Sequence, residues 1–136
     1  MSLVVIIPTY NEKENVENII KEVFHYVPNS QILIVDDNSP DGTSDIVKKL
    51  QKNDPRLHLL IRKGKEGLGK AYIHAFKHIF DLFVPSRVAM MDSDMSHHPK
   101  YLPEMEKLLD KGVDVIVGSR YVKGGDTVGW EKWRKA

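Results

Sequence analysis

Cysteine is missing from this chain, which excludes a disulfide framework, a thiolate metal site and a cysteine nucleophile. Long apolar runs are missing too: none exceeds about five residues, far below the roughly 20 that a membrane-spanning helix requires. A strong charge of one sign is absent, with a net +1 over 136 residues. Residues 62–70 carry four positive charges, but no polybasic run of the kind that tracks nucleic acid occurs. No basic flank or small-residue cleavage site accompanies the first apolar run, so no signal peptide is expected. What is present is the composition of a soluble globular protein, 41% hydrophobic and 29% charged, long enough for one domain or part of one.

Apolar runs alternate with helical patterns along the chain. Leu3 to Ile7 is apolar on both faces and β-branched, as in a central parallel strand, and Pro8 is expected to end it. Asn11 with Glu14 three residues on reads as a capping box, ahead of an apolar stripe at Val16, Ile19, Ile20, Val23, Phe24 and Val27. Ile32 to Val35 is a second strand, and after a turn cluster Thr43 is placed to cap a helix carrying Ile46, Val47 and Leu50. Leu57 to Ile61 is a third strand, expected near an edge because Arg56 and His58 interrupt it. A helix is expected from Leu68, a fourth strand over Val88 to Met91, a helix through Leu102, Met105, Leu108 and Leu109, and a fifth strand over Val113 to Val117. The alternation predicts an α/β fold, a mostly parallel central sheet with helices on both faces and right-handed crossovers. Strand order is not readable from it.

The polar residues that follow these strands form one set. Tyr10 and Glu12 follow the first, Asp36 and Asp37 the second, Arg62, Lys63 and Gly67 to Lys70 the third, Asp92 and Asp94 the fourth, and Arg120 the fifth. Carboxyl ends of parallel strands converge on one crevice. Singly, each has a plainer reading. Asp36 reads first as a helix cap, and Asp92-Ser93-Asp94 divides evenly between capping or surface roles and a metal site. Tyr10 reads as an aromatic at the core rim, and His97 as the start of the next helix beside Pro99. Together they suit transfer from an activated sugar. An Asp-x-Asp pair offers hard oxygens to Mg²⁺ or Mn²⁺ and leaves sites for phosphate oxygens, and arginine pairs with phosphate. A receiver-like module would place acids directly after the first strand and a lysine after the fifth, where this chain has Pro8-Thr9 and Gly118-Ser119-Arg120. A phosphatase using Asp-x-Asp would carry it on the first strand.

Pro8-Thr9-Tyr10-Asn11-Glu12, Val35 to Thr43, Gly67 to Tyr72, Met91 to Pro99 and Gly118-Ser119-Arg120-Tyr121 resemble the family 2 glycosyltransferases. Within them the branch of dolichol-phosphate mannose synthases is most similar. The resemblance implies a GT-A (Rossmann-like) nucleotide-diphospho-sugar transferase fold, with residues 1–136 forming a single domain that looks C-terminally truncated. It implies a guanosine pocket lined by Pro8, Tyr10, Glu12, Val35 and Asp37, with Asp92, Ser93 and Asp94 on the diphosphate and the metal. Asp94 would be the firmest ligand of Mg²⁺ or Mn²⁺, and Arg120 and Arg134 would meet phosphates. The implied reaction moves mannose from GDP-mannose to dolichyl or polyprenyl phosphate with inversion, with Asp92, Asp94 and Arg120 as the catalytic set. The implied setting is peripheral, on the cytoplasmic side of a membrane (endoplasmic reticulum in a eukaryote, plasma membrane in a prokaryote), with a membrane-anchoring subunit as a further partner. Ser96 stands where some members carry glutamine, which puts a third protein ligand in doubt. Another nucleotide sugar, or an inactive nucleotide-sugar-binding fragment, is the alternative.

Overall fold

A computed structural model describes residues 3–63, 68–82, 87–94 and 98–111. Four strands, β1 (Leu3–Thr9), β2 (Gln31–Asp36), β3 (Leu57–Ile61) and β4 (Arg87–Met90), alternate with α1 (Val16–Tyr26), α2 (Thr43–Gln51) and α3 (Leu68–Leu82). All pairings are parallel and the order is β3-β2-β1-β4. The edge position of β3, expected from its polar interruptions, is observed. After a 3₁₀ turn at Pro99–Tyr101 comes α4 (Leu102–Asp110). By its internal contacts the chain divides into two compact units, Met1–Leu102 and Pro103–Ala136. Of the second, the described part is the remainder of α4 and Lys111. The fifth expected strand lies outside the described residues.

Side-chain alternation along the strands sorts the core into two layers. Leu3, Val5, Ile7, Ile32, Ile34 and Leu57 pack with Ile19, Val23 and Val47 of α1 and α2 on one face. Val4, Ile6, Leu33 and Val35 pack with Ala75 and Ile79 of α3 on the other. Helices therefore cover both faces, which is why β1 and β2 read as unbroken apolar runs. The chain runs outward through β2 to β3, and α3 then carries it back across to β4 on the far side of β1. This reversal makes the β1–β4 gap a topological switch point, where ligands of open α/β sheets bind.

Three local expectations are corrected. β1 runs through Pro8 to Thr9. The Met91 N–H donates to the Ile6 carbonyl at 3.1 Å and the Asp37 N–H to the Thr9 carbonyl at 3.1 Å, so alternate residues of β1 face β4 and β2. Pro8 falls on the β4 side, where the ladder has already ended at Ile6–Met90, and its missing N–H costs no bond. Asn11 is not a helix cap: α1 begins at Val16 with Asn15 in the cap position. Thr43 is the first helical residue of α2, and Gly42 precedes it at φ +91. Gly42→Ala is expected to cost about 1 kcal/mol in urea unfolding, because a left-handed backbone disfavours any Cβ. Space is not the issue, since a Cβ there would have nothing within 4 Å.

The amino ends of the strands carry structural braces. Arg56 donates to Asp54 Oδ2 at 2.6 Å and to the Pro28 carbonyl at 2.7 Å, and lies over the Phe24 ring at 3.8 Å. The Arg56 side-chain hydrogen bond holds the Asp54 carboxyl below its ordinary value of 3.8 against the opposing effect of burial. A carboxyl depressed in this way adds stability above its unfolded value and loses it as pH falls through the folded one. Asp54→Asn is therefore expected to be less stable by about 0.5–1 kcal/mol at pH 7, given solvent screening of a partly exposed pair. Paired denaturation curves should show that gap closing as pH falls through the folded value, below the ordinary 3.8.

Candidate nucleotide-sugar site

At the carboxyl edge, two loops are bolted together through Asp36, which is fully buried. Thr9 Oγ1 donates to its Oδ1 at 2.7 Å, Ser39 Oγ to the same oxygen at 2.6 Å, and the Ser39 N–H to Oδ2 at 2.9 Å. The Ser39 hydroxyl oxygen in turn accepts from the Asn11 N–H at 2.8 Å. Asp36 is thus a tie between the loops after β1 and β2, not the helix cap that its position suggested. Asn11 and Asn38 both sit in the left-handed region, at φ 55 and 56, which asparagine tolerates better than most residues. Two more bonds seat the entrance to α1 on the β2–α2 loop. The Glu12 N–H donates to Thr43 Oγ1 at 3.1 Å and the Lys13 N–H to Asp41 Oδ2 at 3.2 Å. Partial desolvation pushes the Asp41 carboxyl up, but hydrogen bonds from Thr43 and from the Lys13 N–H outweigh it and hold it low.

This bracing positions the expected site residues that follow β1 and β2. Pro8, half-buried on β1, lies beside Val35 of β2. The Val35 side chain is fully buried in the layer beneath α3, so it presents no side chain to a ligand. Tyr10 is exposed directly after β1, and Glu12 is half-buried on the same loop. Asp37, 8% exposed, accepts from Arg62 Nη1 at 3.0 Å, and Arg62 is itself 5% exposed. Past β4, Ser93 is buried, Asp92 half-buried and Asp94 exposed. Because β1 lies between β2 and β4, the acids after those two strands flank it, roughly 10 Å apart at the usual strand spacing. Arg120 and Arg134 lie outside the described residues, as does His97. The 3₁₀ turn is instead capped by His98, whose Nδ1 accepts from the Lys100 N–H at 3.1 Å.

Two partners escaped the sequence reading. Arg62 appeared there only as one of several cations in a loop, and its bond to Asp37 spans 25 residues. Tyr72 of α3 approaches Asp92: burial first, and the Asp92 carboxylate second, push its hydroxyl up to about 12. The phenol is therefore a neutral hydrogen-bonding group beside the acid at neutral pH. A short aromatic-and-glycine motif, Gly67 to Tyr72, was the available signal for it.

Among the described residues no group of three or more His, Cys, Asp or Glu side chains is assembled to hold a metal. The donors available at the switch point are the Asp92 and Asp94 carboxylates. A pair of hard oxygen ligands suits Mg²⁺ or Mn²⁺, which retain water and take substrate phosphates as their other ligands. Among the described residues no helix is long and apolar enough to cross a membrane.

A sequence profile described as glycosyl transferase family 2 matches residues 4–135. The chain is 43% identical over 136 residues to a polyprenol monophosphomannose synthase of Mycolicibacterium smegmatis, covering 96% of this chain and 49% of that protein. It is 40% identical over 139 residues to an undecaprenyl-phosphate mannosyltransferase of Micrococcus luteus, covering 99% and 55% respectively. The chain thus spans about half the length of the curated relatives it matches. Among solved structures, a mannosyltransferase of Pyrobaculum calidifontis in complex with GDP-Man and Mn²⁺ superposes with a TM-score of 0.60 at 26% identity, over 68% of this chain and 27% of that one. TarS of S. aureus in complex with UDP-GlcNAc superposes with a TM-score of 0.67 at 21% identity, over 90% and 38%, a likeness of fold. By its profile match over nearly its whole length and by these relatives, the chain belongs to glycosyl transferase family 2.

Proposed function

We propose that this chain carries the donor-binding part of a polyprenyl-phosphate mannosyltransferase, within one GT-A catalytic domain. It would move mannose from GDP-mannose to dolichyl or polyprenyl phosphate with inversion. The observation that carries this reading is the grouping of Tyr10, Glu12, Asp37, Asp92 and Asp94 around the β1–β4 switch point, in a chain over 40% identical to a mannose synthase that uses a polyprenol. Pro8, Tyr10, Glu12, Val35 and Asp37 form the nucleoside end. Asp92, Ser93 and Asp94 take the diphosphate end.

Asp92 and Asp94 would hold Mg²⁺ or Mn²⁺, which when bound neutralises charge developing on a leaving diphosphate. An acceptor phosphate oxygen attacks C1 of the mannose from the face opposite the leaving group. The C1–O bond to the diphosphate breaks and GDP departs with the electron pair. The acceptor is already anionic near neutral pH, so no side chain has to remove a proton. The residues' work is positioning and charge placement, with Arg120 and Arg134 on phosphates. Such an acceptor resides in a membrane, so the protein would work at a membrane face, in this reading the cytoplasmic one, peripherally or through an anchoring subunit.

Titrating the protein with GDP-mannose, UDP-glucose and UDP-GlcNAc in the presence of Mn²⁺ tests the donor, and transfer of labelled mannose to polyprenyl phosphate in detergent tests the reaction. GDP-mannose is expected to bind tightest. Tighter binding of either UDP sugar would remove the mannose reading and leave a family 2 transferase for another nucleotide sugar. Donor binding without transfer would make the chain a nucleotide-sugar-binding fragment.

A further inference from the structure

Behind the nucleoside end lies a feature that the proposed reaction does not use. Arg62 is 5% exposed, yet its guanidinium is engaged on two sides. Nη1 donates to Asp37 Oδ1 at 3.0 Å, and Nε donates to Nδ1 of His74 on α3, also at 3.0 Å. A guanidinium carries donors and no acceptor, so the ring nitrogen facing Nε must offer a lone pair. His74 Nδ1 is therefore the acceptor of this bond. A ring protonated on both nitrogens has nothing to accept with.

We infer that His74 is a positioning residue for the nucleotide pocket: by accepting from Arg62 at Nδ1 it aims the guanidinium that holds Asp37. This rests on the reading of Asp37 as a donor contact. His74 is exposed on α3, so solvent protons reach it. It borders an open cavity of about 420 Å³ whose other polar lining, among the described residues, is Arg62, Lys63, Lys77 and His78. A proton on His74 replaces an acceptor with a donor and adds charge to a cationic wall. Arg62, and Asp37 with it, loses its alignment. Other groups face the same region. Asp37 bonds Arg62 from the end of β2, and Lys63 from beyond β3 and Lys77 and His78 from α3 line the cavity. His58 of β3 bonds Gln31 Oε1 at 2.8 Å and is held below its usual range by burial and by His78.

The test measures GDP affinity with Mn²⁺ between pH 8 and pH 5.5 for the wild type, His74→Asn and His74→Lys, with melting temperatures of the unliganded proteins alongside. Asparagine places an uncharged oxygen near the Nδ1 position, and lysine is a cation with no acceptor. Wild-type affinity is expected to fall about tenfold more than that of H74N on acidification, the scale of one hydrogen bond to a charged group. H74N should hold near the wild-type value at pH 8 and lose on acidification only what protonation of the GDP terminal phosphate costs, while H74K should be about tenfold weaker than H74N throughout. In an Asp37→Ala background the difference between H74N and H74K should vanish. H74K binding GDP as tightly as the wild type at pH 8 would overturn the inference, even if H74N proved unstable. An acid loss in H74N as large as that of the wild type would overturn it too, by assigning that loss to groups other than His74. If the wild type bound no GDP at any pH, the donor reading itself would fall first.

Discussion

Asp94→Ala is expected to remove the metal dependence of donor binding and to lower mannose transfer by at least about 100-fold. Asp94 lies two residues beyond Asp92 at the end of β4, beside the gap opened when the β1–β4 ladder stops at Ile6–Met90. It is exposed, so removing its carboxylate empties no core, and the melting temperature of the unliganded protein should move little. A two-carboxylate site that loses one acid loses half of its protein ligands for a hard cation. GDP affinity in Mn²⁺ should then equal GDP affinity in a chelator, whereas the wild type should show a wide gap between the two. That comparison needs no turnover. An Asp94→Ala protein whose GDP affinity still rises with Mn²⁺ would place the metal elsewhere. Asp92→Ala should behave similarly but with some loss of stability, since Asp92 is half-buried and Tyr72 lies close to it.

Legibility in the sequence followed the range of the forces involved. β1 and β2 announced themselves because strands buried on both faces need apolar residues at every position. β3 disclosed its edge position through Arg56 and His58. Local signals competed less well with distant partners. Asn11 and Glu14 spell a capping box, yet the Asn11 N–H is taken by Ser39, 28 residues away. Pro8 looked like a terminator because its missing N–H was counted without knowing which side of β1 it faced. Strand order was silent in the pattern, because a crossover helix packs as well after a reversal as before one. At the site, the acids were legible as a set since strand ends converge. Their division of labour was not. Asp36 and Asp37 are adjacent in sequence, but alternation sends one carboxylate into the loop tie and the other toward Arg62.

That division yields the largest stability effect expected here. Asp36→Ala should cost about 3–4 kcal/mol in denaturant unfolding, beyond the range of an ordinary surface substitution. The carboxylate is fully buried and receives three hydrogen bonds, from Thr9 Oγ1, Ser39 Oγ and the Ser39 N–H. Deleting it strands buried donors in a space too crowded with protein to rehydrate them freely, and each stranded donor costs on the order of 1–3 kcal/mol. Thr9→Val removes only one of those donors and leaves the others paired. It should therefore cost less, about 1–1.5 kcal/mol, and combining it with Asp36→Ala should add less than its single cost because the partners are shared. The functional consequence separates this acid from its neighbour. Asp36 links the loop bearing Tyr10 and Glu12 to the loop bearing Asp37, so Asp36→Ala should weaken GDP binding together with stability. Asp37→Ala should weaken GDP binding more than its effect on unfolding would account for. If Asp36→Ala left stability within about 1 kcal/mol of the wild type, the tie would be dispensable, and the two loops would be held by their helices alone.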